Sequence, residues 1–401
     1  NVNAYAEDSK LVTTTGSISI QALQSELDTH NIDLSAVGLT ASDLNDASTL
    51  DDDDGGTTSN EAQVDYISDS TFLGEVRTAF GNAGIQLPEL EIFPSEPYGF
   101  RMRAEFRVWH EDGQAHYAMN KPGEKRPYII QDFPIGSALI NQLMPKIMSA
   151  VNASEILSFK LFSMEYLTTT TDEALITLIY HKPLDQQWQQ VAEQLQSEFN
   201  IKVIGRSRKQ KVVLSDDFVT EKLVVNNRQY SYQQVEASFT QPNAQINQKM
   251  LAWASDCLSM SSDDLVELYC GNGNFTAVLA QFFDKVLATE ISKVSVNSAT
   301  ENFAANNVEN VTIARLSSEE FTQAINRERA FRRLAEVDLD SFKFSTIFVD
   351  PPRAGLDEGT ETIVTKMDYI LYISCNPETL AENLKQITKT HKVVKAALFD
   401  Q

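Results

Sequence analysis

Cysteine is scarce in this chain: only Cys257, Cys270 and Cys375 occur among 401 residues. No pair has C-x-x-C spacing, which argues against a zinc ribbon and against a cysteine-ligated iron–sulfur cluster. An odd, low count fits a reducing compartment, so a cytoplasmic location is expected. Long apolar runs are missing too. The stretch Ala174 to Tyr180 is strand-sized, far short of the ~18 residues of a membrane span, and no membrane partner is expected. No basic-then-apolar leader opens the chain. It begins with Asn1 rather than Met, so a fragment or a processed product is expected. The run Asp51-Asp52-Asp53-Asp54 lacks the alternating ligands and closing Glu of a calcium loop, so no metal is expected.

Basic residues are in the minority, with a net charge of −23. That alone would argue against a nucleic-acid partner. The imbalance is concentrated at one end, however: the first 100 residues hold 18 Asp and Glu against Lys10 and Arg77. Residues 101–250 carry 17 basic and 16 acidic groups. Net charge therefore says little about the surface of the folded part.

Four segments are expected. Residues 1–60, rich in Ser, Thr, Asp and Asn, read as a disordered acidic segment with a weak helical pattern over Ile20 to His30. Residues 61–99 read as a linker with helical character. Residues 100–235 read as an α+β domain. Its strands are expected over Arg101 to Trp109, which alternates with period two, Met164 to Thr170, Glu173 to His181 and Lys202 to Gly205. Its helices are expected over Ser137 to Ala150 and Asp185 to Glu198. Residues 236–401 alternate strand and helix, the pattern of a parallel α/β sheet. The strands there are Asp264 to Tyr269, Lys285 to Thr289, Val311 to Ala314, Phe344 to Val349 and Tyr369 to Ile373, the last read as buried.

The first of those strands runs into Tyr269-Cys270-Gly271-Asn272-Gly273-Asn274-Phe275, followed by a helix expected over Thr276 to Phe283. Glycines at such a turn let backbone approach a ligand, and a helix start offers free N–H groups. Glu290 closes the next strand, about 20 residues on, the offset at which an acid meets ribose hydroxyls. The third glycine of the dinucleotide fingerprint is absent, which favours S-adenosylmethionine over NAD. The plainer alternative is a tight structural turn and a surface glutamate.

Two further strand ends carry chemistry. Asp350-Pro351-Pro352 resembles the proline-rich turn of methyltransferases that act on planar nitrogenous groups; proline makes a rigid wall with available carbonyls. Cys375, in Ile373-Ser374-Cys375-Asn376-Pro377-Glu378-Thr379, presents a thiol at a sheet edge. A thiolate can add to C6 of a uracil, and the resulting nucleophilic C5 can attack a methyl sulfonium. The pair points to C5 methylation of a pyrimidine. The competing reading makes Cys375 a small buried residue; Cys257 and Cys270 are read that way.

Taken together, Arg101 to Arg107, Ser238-Phe239-Thr240-Gln241-Pro242-Asn243, Glu267 to Phe275, Phe348 to Arg353 and Ser374 to Thr379 resemble the bacterial tRNA (uracil-5-)-methyltransferase family, from about residue 100 to residue 401. The resemblance implies a Rossmann-like S-adenosylmethionine-dependent methyltransferase domain, 236–401, preceded by an α+β RNA-binding domain, 100–235. It implies methylation of a T-loop uridine (uridine-54) to 5-methyluridine, with Cys375 as nucleophile. Gln241, Tyr269, Asn274, Glu290 and Asp350 are then the S-adenosylmethionine contacts. Related ribosomal-RNA uracil methyltransferases carry an iron–sulfur cluster whose ligands this chain lacks, so the tRNA branch is favoured. A ribosomal-RNA substrate remains the alternative, as does a tRNA-binding or tRNA-folding protein with little turnover.

The expected partner is the tRNA T arm, met by a monomer. A uracil in a folded loop must be flipped out before a thiol can reach it. Arg101, Arg103 and Arg107 are expected on one strand face, facing phosphates. Arg206 and Arg208, in Arg206-Ser207-Arg208-Lys209-Gln210-Lys211, form a second basic patch. Phe162 and His181 are candidates for base stacking. The plainer readings are a solvated strand face and ordinary core packing.

Two departures from the family pattern stand out. Residues 1 to about 90 do not resemble its N-terminal helical segment. The family's general base, a glutamate in a His-His-x-Glu-type segment, falls beyond Gln401, so no residue here is assigned that role. A chain of this extent is expected to form the thiol–uracil adduct and release it poorly.

Overall fold

The computed structural model describes residues 71–120, 123, 126–258 and 263–400. The acidic segment 1–60, the pattern Ile20 to His30 and residues 61–70 lie outside the described residues. The described chain opens with the helix Thr71–Ala83, which lays Val76 and Phe80, four residues apart, against Ala381. Strand β1, Leu90–Phe93, follows. Within the segment 61–99, the described residues 71–99 thus hold one helix and one strand.

Seven strands form the first sheet. They are β2 (Arg103–Glu111), β3 (Gln114–Met119), β4 (Tyr128–Ile129), β5 (Leu161–Thr168), β6 (Ala174–Tyr180), β7 (Lys202–Ser207) and β8 (Gln210–Val213). Their order is β4-β3-β2-β5-β6-β7-β8. All neighbours are antiparallel except β6 and β7, which the helix Gln186–Phe199 connects. Alternation in β2 buries Ala104, Phe106 and Val108 and turns Arg103, Glu105, Arg107 and Trp109 outward. The buried face packs on the helices Ala138–Asn152 and Gln186–Phe199 through Ile140, Met144, Ile147 and Trp188. Each such side chain contributes roughly 1.5–3 kcal/mol by leaving water. Ser137 and Asp185 cap these two helices by accepting from Ile140 and Trp188 N–H.

A two-stranded ribbon, β9 (Phe218–Val225) and β10 (Arg228–Val235), leads to the helix Ala244–Asp256. The second sheet contains β11 (Asp264–Leu268), β12 (Val286–Thr289), β13 (Val311–Ala314), β14 (Phe344–Val349) and β15 (Tyr369–Tyr372). Its order is β13-β12-β11-β14-β15, and every pair is parallel. Strand order reverses between β11 and β14, and open α/β sheets bind ligands outside the strand ends at such a point. Finally β16 (Ala396–Phe399) pairs in parallel with β1, with Phe93 and Phe399 stacked at 4.6 Å.

Segments 100–235 and 236–401 each carry a sheet of their own, and both fall in the compact unit Ile67–Gln401. Three local expectations are corrected. Arg101 precedes the first sheet's β2 and makes isolated bridges to Gly136 and Asn243, because Met102 N–H is drawn to the Pro242 carbonyl at 2.7 Å. The helix after the glycine turn is only Thr276–Leu279 and tightens into a 3₁₀ turn over Ala280–Phe282. There the Asn310 amide donates to the Ala280 and Phe283 carbonyls and ends it. Strand β15 is an edge strand, which leaves Tyr369 68% exposed.

Candidate active site

The ends of β11, β12, β14 and β15 converge at the reversal point. After β11 the backbone turns sharply: Tyr269, Gly271 and Gly273 all have positive φ, at 62°, 56° and 76°. For Tyr269 this left-handed conformation costs about 1 kcal/mol or more, and its hydroxyl is anchored on Ser318 Oγ at 2.8 Å. A Cβ on Gly271 would meet open space, whereas one on Gly273 would lie 2.5 Å from the Phe303 ring. The turn is thus open on one side and packed shut on the other. Glu290 spans it from β12, its carboxylate accepting from Gly271 N–H at 3.1 Å and Ser292 N–H at 2.7 Å.

Asparagine side chains hold the turn from behind. Asn274 and Asn247 exchange amide hydrogen bonds at 2.8 and 3.0 Å. Tyr232 donates to the Asn274 carbonyl, and Asn302 donates to the Asn272 carbonyl. Asn247 lies on the helix Ala244–Asp256, and Gln241 enters just ahead of that helix, two residues before its cap Asn243. Much of the Asn274 amide's bonding capacity is therefore used internally. Tyr269 and Asn274 lie in the turn after β11, Glu290 and Asp350 directly follow β12 and β14, and Gln241 lies two residues before the cap of the helix that Asn247 ties to the turn.

Asp350 directly follows β14, and burial pushes its carboxyl up to about 7. One strand over, Glu267 is fully buried in β11. Burial, with a smaller contribution from the Asp350 charge, raises its carboxyl to about 8. The Thr276 hydroxyl lies near enough to offset part of this rise, but the pair does not reach good hydrogen-bond geometry. Sequence reading did not single out Glu267. The available signal was an acid inside the apolar strand Asp264-Leu265-Val266-Glu267-Leu268.

A protonated buried carboxyl has a thermodynamic signature. Below about pH 4.5 the folded and unfolded states both carry the proton. Between 4.5 and about 8 the unfolded state releases it first, so stability falls as pH rises across that window and then levels off. Glu267→Gln removes the effect. The difference in melting temperature, variant minus wild type, is expected to grow from pH 5 to pH 8 in thermal melts without cofactor. A difference constant with pH would show that Glu267 is not held neutral.

Cys375 is exposed, two residues beyond the Ile373 whose N–H bonds the Val349 carbonyl. Ser374 and Asn376 hold its turn: Asn376 N–H donates to Ser374 Oγ, and Ser374 Oγ to the Asn376 carbonyl. Asn376 caps the helix Pro377–Ile387, which begins with proline at its first turn. The Asn376 amide and the Thr379 hydroxyl both donate to the Arg353 carbonyl, at 3.1 and 3.2 Å. The thiol's turn is thereby stapled to the Asp350-Pro351-Pro352-Arg353 turn. Of the other cysteines, Cys270 is buried and Cys257 ends a helix.

The RNA candidates separate into two groups. On the outward face of β2, β5 and β6, Phe162 stacks on His181 at 4.3 Å, and the Arg107 guanidinium lies over the Phe162 and Trp109 rings at 5.7 and 6.0 Å. Arg208 is exposed at the tip of the β7–β8 hairpin. The other arginines are engaged internally. Arg103 donates to the Ser238 and Glu236 carbonyls at 2.6 and 2.8 Å, and Arg101 to the Arg103 carbonyl at 3.0 Å. Arg206 grips the buried Glu236 carboxylate with two hydrogen bonds, one of 2.6 Å. Burial alone would raise the Glu236 carboxyl, yet Arg206 and Lys211 hold it below its ordinary range. The alternation of arginines could not reveal this, because the acid that binds Arg206 comes from the β10 end.

The profile of the tRNA (Uracil-5-)-methyltransferase family matches residues 75–401. The match starts earlier than the motifs at Arg101 and takes in most of the first described helix, so residues 75–90, expected to be unlike the family, fall within it. Among curated proteins, the chain is 56% identical over 319 residues to a tRNA/tmRNA (uracil-C(5))-methyltransferase of Cellvibrio japonicus, covering 80% of this chain and 87% of that protein. It is 55% identical to the protein of the same description from Saccharophagus degradans, covering 78% and 86%. Among solved structures, a Pyrococcus abyssi tRNA (uracil-54, C5)-methyltransferase in complex with S-adenosyl-L-homocysteine aligns with TM-score 0.55 at 21% identity, covering 78% of this chain and 74% of that one. At that identity the likeness concerns the fold.

Proposed function

Because this chain belongs to the tRNA (uracil-5-)-methyltransferase family, we propose that it transfers a methyl group from S-adenosylmethionine to C5 of a tRNA uridine, with the T-loop uridine 54 as target. The observation that carries the reading is the stapling of the exposed Cys375 turn to the turn that follows Asp350. The residues fit an adenosyl sulfonium cofactor. Open space lies beside Gly271, and the Glu290 acid stands at a strand end tied to the Gly271 N–H. Gln241, Tyr269, Asn274, Glu290 and Asp350 are the residues that would hold it. When bound, it supplies an electrophilic methyl group.

The Cys375 thiolate adds to C6 of the flipped uracil, forming a C6–S bond and moving the C5–C6 π electrons onto C5 and O4. Carbon 5 would then take the methyl group, the electron pair of the broken methyl–sulfur bond staying on the cofactor's sulfur as a neutral thioether. Loss of the C5 proton to a base returns its electrons to the ring, the C6–S bond breaks, and the thiolate is regenerated. That base is assigned to no described residue. Arg107, Arg208, Phe162 and His181 are the RNA-facing groups of this reading.

The test is methyl transfer from labelled S-adenosylmethionine to an unmodified tRNA transcript, its T-arm hairpin, the hairpin with cytidine at position 54, and a ribosomal-RNA fragment. Label is expected to enter the first two, as 5-methyluridine or as an adduct retained on Cys375, and to be absent from the cytidine hairpin. Equal or greater labelling of the ribosomal fragment would overturn the tRNA assignment. It would favour the ribosomal reading instead.

A further inference from the structure

At one end of the first sheet, next to the Phe162–His181 pair, stands a second aromatic and cationic group that the proposed chemistry does not use. Phe159 is 54% exposed. Two ammonium groups approach its ring: Lys160 Nζ at 5.4 Å and Lys182 Nζ at 5.5 Å from the centroid. The two aromatic positions share one backbone junction, where His181 N–H donates to the Lys160 carbonyl at 3.0 Å.

Two features set this group apart from a solvated helix end. First, Phe159 ends the short helix Glu155–Ser158 in an extended conformation, and Lys160 follows with φ 56°. Glycine or asparagine is at ease in that left-handed region, and lysine is not. The turn keeps a phenyl ring in water and a cation beside it at a conformational cost. Second, charge along this face is graded. Glu105 and Glu165 lie opposite each other, with Arg103 bridging to Glu165 at 3.8 Å. At the other end, Arg107, Lys160 and Lys182 gather around exposed rings in a chain of net charge −23. Lys182 is half-buried and hydrogen-bonded to the Ile156 carbonyl at 2.6 Å, with Asp185 as its acidic neighbour. Lys160 is exposed.

We propose that Phe159, Lys160 and Lys182 form a second RNA-docking platform. It would stack an unpaired base other than the target uridine on Phe159 and bind the adjoining phosphate through Lys160. Base stacking on an aromatic ring is tolerant of sequence, and a flanking cation neutralises the backbone. This rests on the reading of the substrate as tRNA. The platform fits a strand leaving the target loop, because it continues the Phe162–His181 surface across the β5–β6 junction.

The experiment uses the full chain with an unmodified tRNA transcript and measures affinity by filter binding at several salt concentrations. Phe159→Ala is expected to weaken binding about 5- to 100-fold, and Phe159→Tyr to restore most of it. Lys160→Gly relieves the left-handed backbone, so its melting temperature should stay level or rise. Its tRNA affinity should fall several-fold, and the salt slope should shrink by about one. Cofactor affinity by calorimetry should match wild type in all variants. If wild type binds and methylates tRNA while Phe159→Ala and Lys160→Gly bind it equally well, the platform is overturned and the substrate reading stands. If wild type itself does not bind tRNA, both fall.

Discussion

Cys375→Ala is expected to abolish methyl transfer, lowering the rate by at least about 10⁴-fold, the scale seen when a covalent nucleophile is removed. Without the C6–S bond the uracil C5 is not activated, and the other residues at the strand ends hold reactants without supplying that electron density. The variant should stay folded. Cys375 is exposed, its turn is held by Ser374, Asn376 and Thr379, and surface truncations of this kind usually change stability by less than about 0.5 kcal/mol. Cofactor affinity should be retained, because the glycine turn is braced by Glu290, Asn302 and Tyr232. Cys375→Ser should be nearly as inactive, since a hydroxyl is a far weaker nucleophile than a thiolate at neutral pH. The measurement is the rate of 5-methyluridine formation beside calorimetric titration of S-adenosylmethionine. A variant keeping a tenth of wild-type turnover would remove Cys375 from the mechanism.

Gly273→Val should have the largest effect on the cofactor side. The position has φ 76°, which a β-branched residue adopts only with strain. Its Cβ would sit 2.5 Å from Phe303 Cε1 and 2.8 Å from Cζ. Phe303 is a buried residue of the helix Lys293–Ala305 that follows β12, so the ring has little room to retreat. Left-handed strain of roughly 1–2 kcal/mol and overpacking of roughly 1–3 kcal/mol together predict a loss of about 2–5 kcal/mol. The turn cannot keep its shape at that cost. Melting temperature should fall by several degrees, and S-adenosylmethionine affinity by 10-fold or more. Gly271→Ala, at a neighbouring positive φ but with open space at its Cβ, should leave stability closer to wild type. Equal melting temperatures for Gly273→Val and wild type would show that the turn can move away from Phe303.

Several elements were legible because their signal is local. Val311–Ala314 and Phe344–Val349 begin and end where the apolar runs do. The helices Ala138–Asn152 and Gln186–Phe199 start one residue after their capping Ser137 and Asp185. The glycine turn, the strand-end Glu290 and the polar turn around Cys375 are likewise short-range patterns whose residue types imply a backbone shape. Edge position is not local. Tyr369-Ile370-Leu371-Tyr372 has the composition of a buried strand and is half open, because β14 pairs with only one of its sides.

The arginines show the same limit at the level of charge. Period-two spacing placed Arg103 and Arg107 on one face, and the sheet bears that out. Their partners come from 135 residues away for Arg103 and from the adjacent strand for Arg107. Arg206 looked like part of an open basic patch and is clamped by Glu236, a buried acid.

By itself the sequence determined the residue types at each strand end, and with them the family and the two chemistries proposed for it, thiol addition and binding of a nucleoside-type cofactor. Those follow from bonding and backbone propensity within a few residues. Tertiary structure alone decided which of these groups meet and which charges are spent internally. It stapled the Cys375 turn to Arg353, left Glu267 buried beside Asp350, and set Phe159 beside two lysines. These outcomes depend on desolvation and on partners distant in the chain, and no short window of sequence contains either.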